Sequence, residues 1–292
     1  MPRRIAAILL ATVLVAALAG CSPAQSLRPV ASAGPSPSQS AIETTAACVP
    51  DAIPDSAADP GPVWAGRTWY EVFVRSFSDS DGDGIGDLAG LTAKLDYIKG
   101  LGVGGIWLMP VAESVSYHGY DVTEYTAVER DYGDAGALRA FVAAAHERDI
   151  LVIVDFVINH TSRDHPWFKD ALAGGPHRDW YIWSETDPGW PPVAGPNPWH
   201  RTDAGDYYYG AFWEGRPDLN LRNADVTAEI KRVADAWLDD FGVDGFRIDA
   251  ARHLIEIDGA HQSNTPETLA WLADFTANVH ASHPDALVLG EA

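Results

Sequence analysis

The 292-residue chain has a formal net charge of −21 at pH 7, a hydrophobic fraction of 47% and 11 tryptophans. This surplus of carboxylates excludes nucleic acid as an expected partner, because phosphate binding needs clustered Lys and Arg side chains. The apolar and aromatic content suits a globular domain.

An export signal is predicted at the N-terminus. Residues 1–21 contain two arginines followed by an apolar run that is too short for an ordinary membrane span. The run ends in LAGC, which resembles a bacterial lipoprotein signal in which Cys21 carries the lipid; a plain signal peptide with a chance cysteine is the alternative. Residues 22–60 are rich in Ser, Pro and Ala and are expected to form a flexible tether. We therefore expect a protein on the extracellular face of the membrane, held there by the lipid anchor only.

Apolar, β-branched runs alternate with amphipathic stretches from residue 66 onward, which is typical of βα units around a parallel sheet. Five strands are predicted, at Thr68–Phe77, Gly104–Val111, Ile150–Asn159, Val243–Asp249 and Ala286–Glu291. Four helices are predicted between them, at Leu88–Lys99, Ala135–Arg148, Val226–Phe241 and Pro266–His280. The strand runs end in polar residues, as in a (β/α)8 barrel, and the Gly-rich phosphate loop that a Rossmann sheet requires does not follow the first strand. The predicted fold class is therefore α/β, a (β/α)8 TIM barrel.

The connection between the third and fourth strands is too long for a single crossover helix. Residues 160–222 are therefore predicted to be an inserted subdomain, with the barrel occupying 61–159 before it and 223–292 after it. The insertion is rich in tryptophan, and we expect some of these rings to form its core and others to line a cleft. A barrel of this kind needs ~250 residues, so we expect the chain to be truncated after strand five.

Two carboxylates end successive predicted strands. Asp249 ends the fourth strand and Glu291 the fifth, and Arg247, two positions before Asp249 on the same strand face, can hold that acid ionised. Two carboxylates on adjacent strand ends suit glycoside hydrolysis, and a separation of ~5–5.5 Å gives the retaining route. Taken singly, either acid has the ordinary alternative of a helix cap or a salt-bridged surface group.

Motifs in a fixed order along the chain resemble those of the α-amylase family of glycoside hydrolases. They are GIWLMP at 105–110, DFVINH at 155–160, RPDLN at 216–220, GFRIDAARH at 245–253 and LGEA at 289–292. The resemblance covers nearly everything from residue 66 onward, and it implies a (β/α)8 barrel that acts on an α-glucan or maltooligosaccharide. Its RPDLN motif is similar to that of amylases intermediate between the oligo-1,6-glucosidase and neopullulanase branches.

The resemblance also implies roles for single residues. Asp249 would be the nucleophile, Glu291 the general acid/base and Arg247 the residue that positions the nucleophile. The implied substrate-binding residues are Tyr120, His118, Asp155, His160, Arg252 and His253. The first two belong to the segment YHGYD, whose second tyrosine stacks under a sugar ring in the family; a core aromatic is the alternative. The family's third catalytic aspartate has no counterpart in this chain, so we expect the chain by itself to fold poorly and to have little activity.

A Gly-rich acidic loop, DSDGDGIGD at 79–87, places oxygen ligands at alternate positions, as Ca²⁺ requires. An EF-hand is excluded, because its twelfth loop position is Gly90 instead of a bidentate Glu. The resemblance implies a structural calcium, with a solvated acidic turn as the alternative; the implied ligands are Asp79, Asp81, Asp83, the Ile85 carbonyl and Asp87. The resemblance further implies that Asn159 serves a second calcium between barrel and insertion.

Three functions fit these residues. The leading prediction is a monomeric retaining hydrolase that cleaves α-1,4 bonds of starch or maltodextrins. An exo-acting α-glucosidase or glucosyltransferase would use the same two carboxylates. A non-catalytic, surface glucan-binding or transporter-accessory protein is the third possibility, and retention of Asp249, Arg247 and Glu291 together argues against it.

Overall fold

The computed structural model describes residues 61–292. The predicted signal peptide, the lipid site at Cys21 and the tether lie outside the described residues. Across 61–292, every helix is too short or too polar to span a bilayer.

The described part of the chain alternates strands and helices. Its strands are β1 Trp69–Val72, β2 Gly105–Leu108, β3 Ala112–Ser114, β4 Val122–Val128, β5 Leu151–Phe156, β6 Trp183–Ser184, β7 Trp199–Arg201, β8 Tyr207–Tyr209, β9 Gly245–Ile248 and β10 Leu287–Gly290. Its α-helices are α1 Leu88–Thr92, α2 Leu95–Gly100, α3 Ala135–His146, α4 Pro166–Leu172, α5 Ala224–Asp239 and α6 Pro266–Ser282.

One parallel sheet contains the five predicted barrel strands, in the order β1-β2-β5-β9-β10. Neighbours in this sheet are successive barrel strands, which is the arrangement of consecutive βα units in a barrel. Asp155 of β5 pairs with Arg247 of β9, which in turn pairs with Leu289 of β10. Asp249 and Glu291 each follow their strand directly, and the Glu291 N–H donates to the Ile248 carbonyl at 3.0 Å. The register therefore sets the two acids side by side at the carboxyl-terminal rim.

Close contact between the last two strands depends on a glycine. Gly245, the first residue of β9, has φ 141°, and a Cβ atom there would lie 2.0 Å from the Leu287 carbonyl oxygen. A larger residue would push β10 away. Gly245 thus allows the register that aligns the two acids.

The helices bury their apolar faces against this sheet. Trp237 of α5 is buried, and its indole N–H donates to the Tyr125 carbonyl at 2.8 Å. Phe156 and Phe246, from neighbouring strands, stack at 4.8 Å, and Phe275 of α6 lies 6.2 Å from Phe156. Each such aromatic burial contributes about 1.5–3 kcal/mol, so β5 and β9, which carry Asp155 and Arg247, are firmly held.

Two predicted elements differ from the observed ones. The first strand, predicted over Thr68–Phe77, ends at Val72, and Val74–Ser76 forms a 3₁₀ turn. The prediction of a single helix over Leu88–Lys99 is wrong, because α1 and α2 are separate helices. The Lys94 N–H donates to the Leu91 carbonyl, three residues back instead of four, and this tightened turn ends the first helix.

The segment after β5 has its own small sheet, in the order β6-β8-β7, together with α4. It packs on the barrel through Trp167, which stacks on Tyr125 at 5.5 Å. The Leu219 N–H donates to the Asn159 carbonyl at 2.8 Å, which ties the end of the segment to the end of the third barrel strand. The β3-β4 hairpin, which sequence analysis did not predict, lies beside this junction and carries the YHGYD segment.

Candidate active site

The Arg247 guanidinium is the centre of the rim and contacts three carboxylates. Its Nη1 donates to both oxygens of Asp155, at 2.9 and 3.0 Å, and to Oδ1 of Asp249 at 2.7 Å. Its Nη2 lies 2.9 Å from Oε1 of Glu291. The same guanidinium lies 5.2 Å from the centre of the Trp107 ring, within cation–π range. One buried cation therefore brings Asp249 and Glu291 to a common site.

Burial controls the ionisation of the inner carboxylates. It raises the pKa of Asp155 to about 7; the Arg247 charge opposes that rise and the Asp249 charge adds to it. Burial also raises the pKa of Asp249, again against the stabilising charge and hydrogen bond of Arg247. Removing a carboxylate from water disfavours its charged form. The ionised state of Asp249 at neutral pH therefore depends on the guanidinium beside it.

The residue that follows Asp249 has a strained backbone and contacts Glu291. Ala250 adopts the left-handed conformation with φ 50° and ψ 32°, which is uncommon for a residue other than glycine. In this conformation its N–H donates to Oε2 of Glu291 at 3.0 Å. The Asp249 side chain is 13% exposed. The turn at Ala250 thus connects a shielded Asp249 to the carboxylate of Glu291.

The YHGYD segment supplies the tyrosine of the site. The Tyr120 hydroxyl donates to Oδ2 of Asp155 at 3.0 Å, and its backbone N–H donates to Nδ1 of His118 at 3.1 Å. Gly119 has φ +86°, and a Cβ atom there would lie 2.7 Å from the Pro110 carbonyl oxygen. The tight turn needs this glycine. His118 lies behind Tyr120, with its ring centre 5.7 Å away, and burial lowers its pKa.

His160 lies in the cleft wall, with both ring nitrogens next to oxygen atoms. Nε2 lies 3.0 Å from the Tyr120 carbonyl oxygen, and Nδ1 lies 3.0 Å from Oδ1 of Asn159. Burial lowers the pKa of His160 to about 3, so the ring is neutral and donates to one of these oxygens. The sugar contact implied for His160 would require Nε2 to exchange the Tyr120 carbonyl for a substrate hydroxyl.

Arg252 and His253 lie just beyond the rim, on a 3₁₀ turn at Ala251–His253. Arg252 is exposed. The His253 Nδ1 lies 2.9 Å from the Gln262 carbonyl oxygen. Neither side chain lines the cleft that contains Asp249.

That cleft has a volume of about 260 Å³. Its lining includes three residues that sequence analysis did not assign to the site, Phe212, Arg216 and Ala250. Arg216 pairs with Asp121 and lies 3.2 Å, through Nη2, from Nε2 of His118. Its charge also lowers the pKa of Asp249, although burial has the larger and opposite effect. The RPDLN motif pointed to Arg216 but assigned it no role, and Phe212 carries no sequence signal.

The acidic loop brings together three of its four aspartates. Oxygen atoms of Asp79, Asp81 and Asp87 lie within 4.8 Å of one another. Asp83 lies outside this group, and its Oδ1 accepts the Ile85 N–H at 2.7 Å. Hydrogen bonds from the backbone of Gly82 and Gly84 lower the pKa of Asp79. A group of ionised carboxylates at this spacing fits a hard divalent cation.

Asn159 lies in a buried polar junction between barrel and insertion. Its Nδ2 donates to the His253 carbonyl, and Asp218 is buried beside it with Oδ2 lacking a protein partner. Both carboxylate oxygens of Glu256 are also buried without a partner. Burial raises the pKa of both Asp218 and Glu256, and each carboxyl also disfavours ionisation of the other. Buried carboxylate oxygens without donors fit the predicted second cation, which would satisfy them.

A five-stranded parallel sheet with the topology of a partial barrel, and with two carboxylates on adjacent strand ends, is the arrangement expected of a barrel glycosidase. The family model for the α-amylase catalytic domain matches residues 71–292, and the chain belongs to that family. The resemblance seen in the motifs is thereby confirmed, as are the predicted fold class and the prediction of a glycosidase.

Similar proteins share the barrel and differ in named activity. The chain is 43% identical over 232 residues to "Alpha-amylase 3" of Dictyoglomus thermophilum, covering 79% of this chain and 44% of that protein. It is 40% identical over 234 residues to "Trehalose synthase" of Pimelobacter sp., covering 77% and 41%. The crystal structure of an α-amylase from H. orenii matches with a TM-score of 0.69 and 43% identity, covering 77% of this chain and 47% of that one. The chain thus spans less than half the length of each of these three.

Proposed function

We propose that this protein is a retaining glycoside hydrolase that cleaves α-1,4-glucosidic bonds of starch or maltodextrins. The observation that supports it is the single Arg247 guanidinium bonded to both Asp249 and Glu291, because a retaining glycosidase needs two carboxyl groups close together at one bond. Asp249, which accepts a hydrogen bond from Arg247, suits the role of nucleophile, and Glu291, on the adjacent strand end, suits that of proton donor.

The reaction has two steps, formation of a glucosyl ester and its hydrolysis. In the first step, protonated Glu291 gives its proton to the glycosidic oxygen while a carboxylate oxygen of Asp249 attacks the anomeric carbon. The bond between the anomeric carbon and the glycosidic oxygen breaks, the leaving sugar departs as an alcohol, and a glucosyl ester forms on Asp249. Glu291, now ionised, then takes a proton from water, whose oxygen attacks the same carbon and releases Asp249. Arg247 keeps Asp249 ionised for the first step. Asp155 holds the Arg247 guanidinium in place, and it also accepts the hydrogen bond that fixes the Tyr120 ring.

Product analysis on maltoheptaose tests this proposal. We expect the full-length protein to release a mixture of shorter maltooligosaccharides, with the α-anomer appearing first in proton NMR spectra taken before mutarotation. Isomaltose and sucrose should remain intact. A first-formed β-anomer, or turnover of sucrose or isomaltose with none of maltoheptaose, would contradict the proposal.

Glucosyl transfer is the second candidate, and the similarity to a protein named trehalose synthase favours it over the remaining alternatives. Transfer uses the same glucosyl ester on Asp249, with a sugar hydroxyl in place of water in the second step. Products longer than maltoheptaose in the same experiment would support transfer.

We further propose calcium as the cation of both acidic sites. In the loop, Asp79, Asp81 and Asp87 would hold it with the Ile85 carbonyl, and Asp83, which lies outside their group, would have to turn toward the ion to join them. At the junction, Asn159 and Asp218 would hold the second ion. Calcium binds carboxylate, amide and carbonyl oxygens, and these sites offer such oxygens. Its contribution is structural, since the loop follows β1 and precedes α1, and the junction joins barrel and insertion.

Chelation tests the calcium proposal. We expect EGTA to lower the melting temperature of the full-length protein by roughly 5–10 °C, because an ion at about 100 times its Kd stabilises by about 2.7 kcal/mol. Asp81→Asn should reduce the difference between the calcium-loaded and chelated melting temperatures, while Asp240→Asn, an exposed residue after α5, should leave it unchanged. Equal melting temperatures with excess calcium and with EGTA would refute the proposal.

A further inference from the structure

A second cleft, larger than the one at the rim, lies in the inserted segment. Its volume is about 920 Å³, and its walls come from α4, residues 196–204, β8 and the loop at Trp213 and Glu214. It shares no lining residue with the cleft that contains Asp249. The mechanism above makes no use of it.

The most distinctive group in this second cleft is an exposed tryptophan. Trp213 is 43% exposed, whereas Trp199, in the same cleft, is 4% exposed. The benzene ring of Trp213 lies directly on Gly215, where a Cβ atom would be 2.1 Å from Cζ2. Only glycine at position 215 leaves room for the indole in this position.

The loop that carries Trp213 is held by hydrogen bonds at three points. The Arg216 N–H donates to the Trp213 carbonyl at 3.0 Å, and the Arg163 N–H donates to the Gly215 carbonyl at 2.9 Å. The Tyr208 hydroxyl donates to the Glu214 carbonyl at 2.6 Å. A rigidly held and partly exposed indole inside a cleft offers a flat apolar face to a ligand.

Hydrogen-bonding side chains line the same cleft as the indole. Acidic, basic and amide side chains line the cleft: Asp187, Asn197, Asp203, Glu214, Arg163 and Arg201. A pyranose ring has apolar C–H faces that stack on an indole and hydroxyl groups at its edge that pair with such side chains. The carboxylates oppose a polyanion, in keeping with the net charge of −21. A neutral sugar chain therefore fits this cleft.

One loop connects the second cleft with the first. Phe212 and Arg216 line the cleft that contains Asp249, while Trp213 and Glu214, between them in sequence, line the second cleft. We propose that the second cleft binds an α-glucan chain at a site separate from the catalytic cleft. This inference rests on the proposed function for the identity of the sugar. A polymer held there raises the local concentration of glucan at the rim.

Isothermal titration with maltoheptaose tests the second site. The parent protein is the full-length Asp249→Asn variant, which cannot consume the ligand. We expect this parent to bind two equivalents, and the Trp213→Ala variant made in it to bind one. Tyr97→Ala, which removes an aromatic side chain 60% exposed on α2, is the matched control and should still bind two.

A second substitution covers the case in which Trp213→Ala fails to fold. Asp203→Ala changes an exposed acceptor of the same cleft and should weaken one of the two binding events about tenfold, as expected for a well-placed contact. One equivalent bound by the parent, or two bound with unchanged affinities by both cleft variants, would overturn the second site. A parent that binds no maltoheptaose, with a wild type that does not cleave it, would instead overturn the proposed function.

Discussion

Asp249→Asn is expected to lower kcat on maltoheptaose by about 10⁴-fold or more, equivalent to about 5.5 kcal/mol of transition-state stabilisation. An amide has nearly the shape of the carboxylate but cannot form the glucosyl ester. Because Nη1 of Arg247 can still donate to the amide oxygen, the fold and the affinity for the sugar should be retained. Initial rates and equilibrium binding of maltoheptaose, measured on the same preparations, check this prediction.

Asp240→Asn is the control, since Asp240 is exposed and follows α5 at the end of the barrel where β9 begins. It should leave kcat and binding unchanged. Wild-type turnover by Asp249→Asn would show that this carboxylate is not the nucleophile. Loss of turnover together with loss of binding would point to a positioning role.

The pH profile of the wild type gives a second measure of Asp249. Burial raises the pKa of Asp249, so the acidic limb of kcat/KM should lie above the ordinary range of an aspartate. The direction follows because the nucleophile must be ionised and the raised pKa keeps it protonated to higher pH. An acidic limb at or below the ordinary pKa of an aspartate would contradict this account.

Arg247→Met is expected to abolish detectable turnover and to lower the free energy of unfolding by about 3–5 kcal/mol, the usual effect of removing one member of a buried ion pair. The methionine fills part of the space but leaves Asp155 buried without its bidentate partner. Urea denaturation curves and initial rates measure the two effects.

Two further variants serve as controls for Arg247→Met. Arg148→Met removes an ion pair with Asp96, whose side chain is 84% exposed, and should change the free energy of unfolding by no more than about 1 kcal/mol. Arg247→Lys keeps the charge but not the planar fork that reaches both Asp249 and Glu291, so it should restore stability more than turnover. Equal stability of Arg247→Met and wild type would contradict the central place of this guanidinium.

The pH dependence of the free energy of unfolding distinguishes the loss of the Arg247 charge in Arg247→Met from a simple packing defect. A carboxyl whose pKa is raised by folding binds more protons in the native state, so the free energy of unfolding falls as pH rises above its unfolded pKa. Burial already raises the pKa of Asp155 to about 7 against the Arg247 charge, and removing that charge raises it further. The loss of stability in Arg247→Met should therefore be larger at pH 8 than at pH 5, whereas a packing defect would be the same at both.

Much of the barrel was predictable from local pattern. All five predicted strands occur in the parallel sheet, each within its predicted range, because strands of a parallel sheet are short apolar runs bounded by turns. The helix after β1 was predicted as one and is two, since the break at Lys94 involves a backbone hydrogen-bond shift that side-chain periodicity does not register. The β3-β4 hairpin was missed because it lies inside the connection from β2 to α3, where an alternation of strands and helices predicts no further strand.

The candidate site was predictable in its membership more than in its contacts. The two-residue spacing of Arg247 and Asp249 indicated one strand face, and the structure places both at the rim with Glu291. The contact of Asp155, Asp249 and Glu291 with one guanidinium, that of Arg247, depends on the register of three strands that are far apart in sequence. The pairing of Arg216 with Asp121, 95 positions away, depends on how the insertion packs on the hairpin.

The amino-acid sequence by itself determined the order of βα units, the family and the acids at the strand ends, because each of these is written in local apolar periodicity and in short motifs. Tertiary structure alone decided which charges meet, how buried each one is and where Trp213 remains in water. These properties come from contacts between segments distant in the chain, and burial and Coulomb interactions depend on distance in space instead of position in sequence.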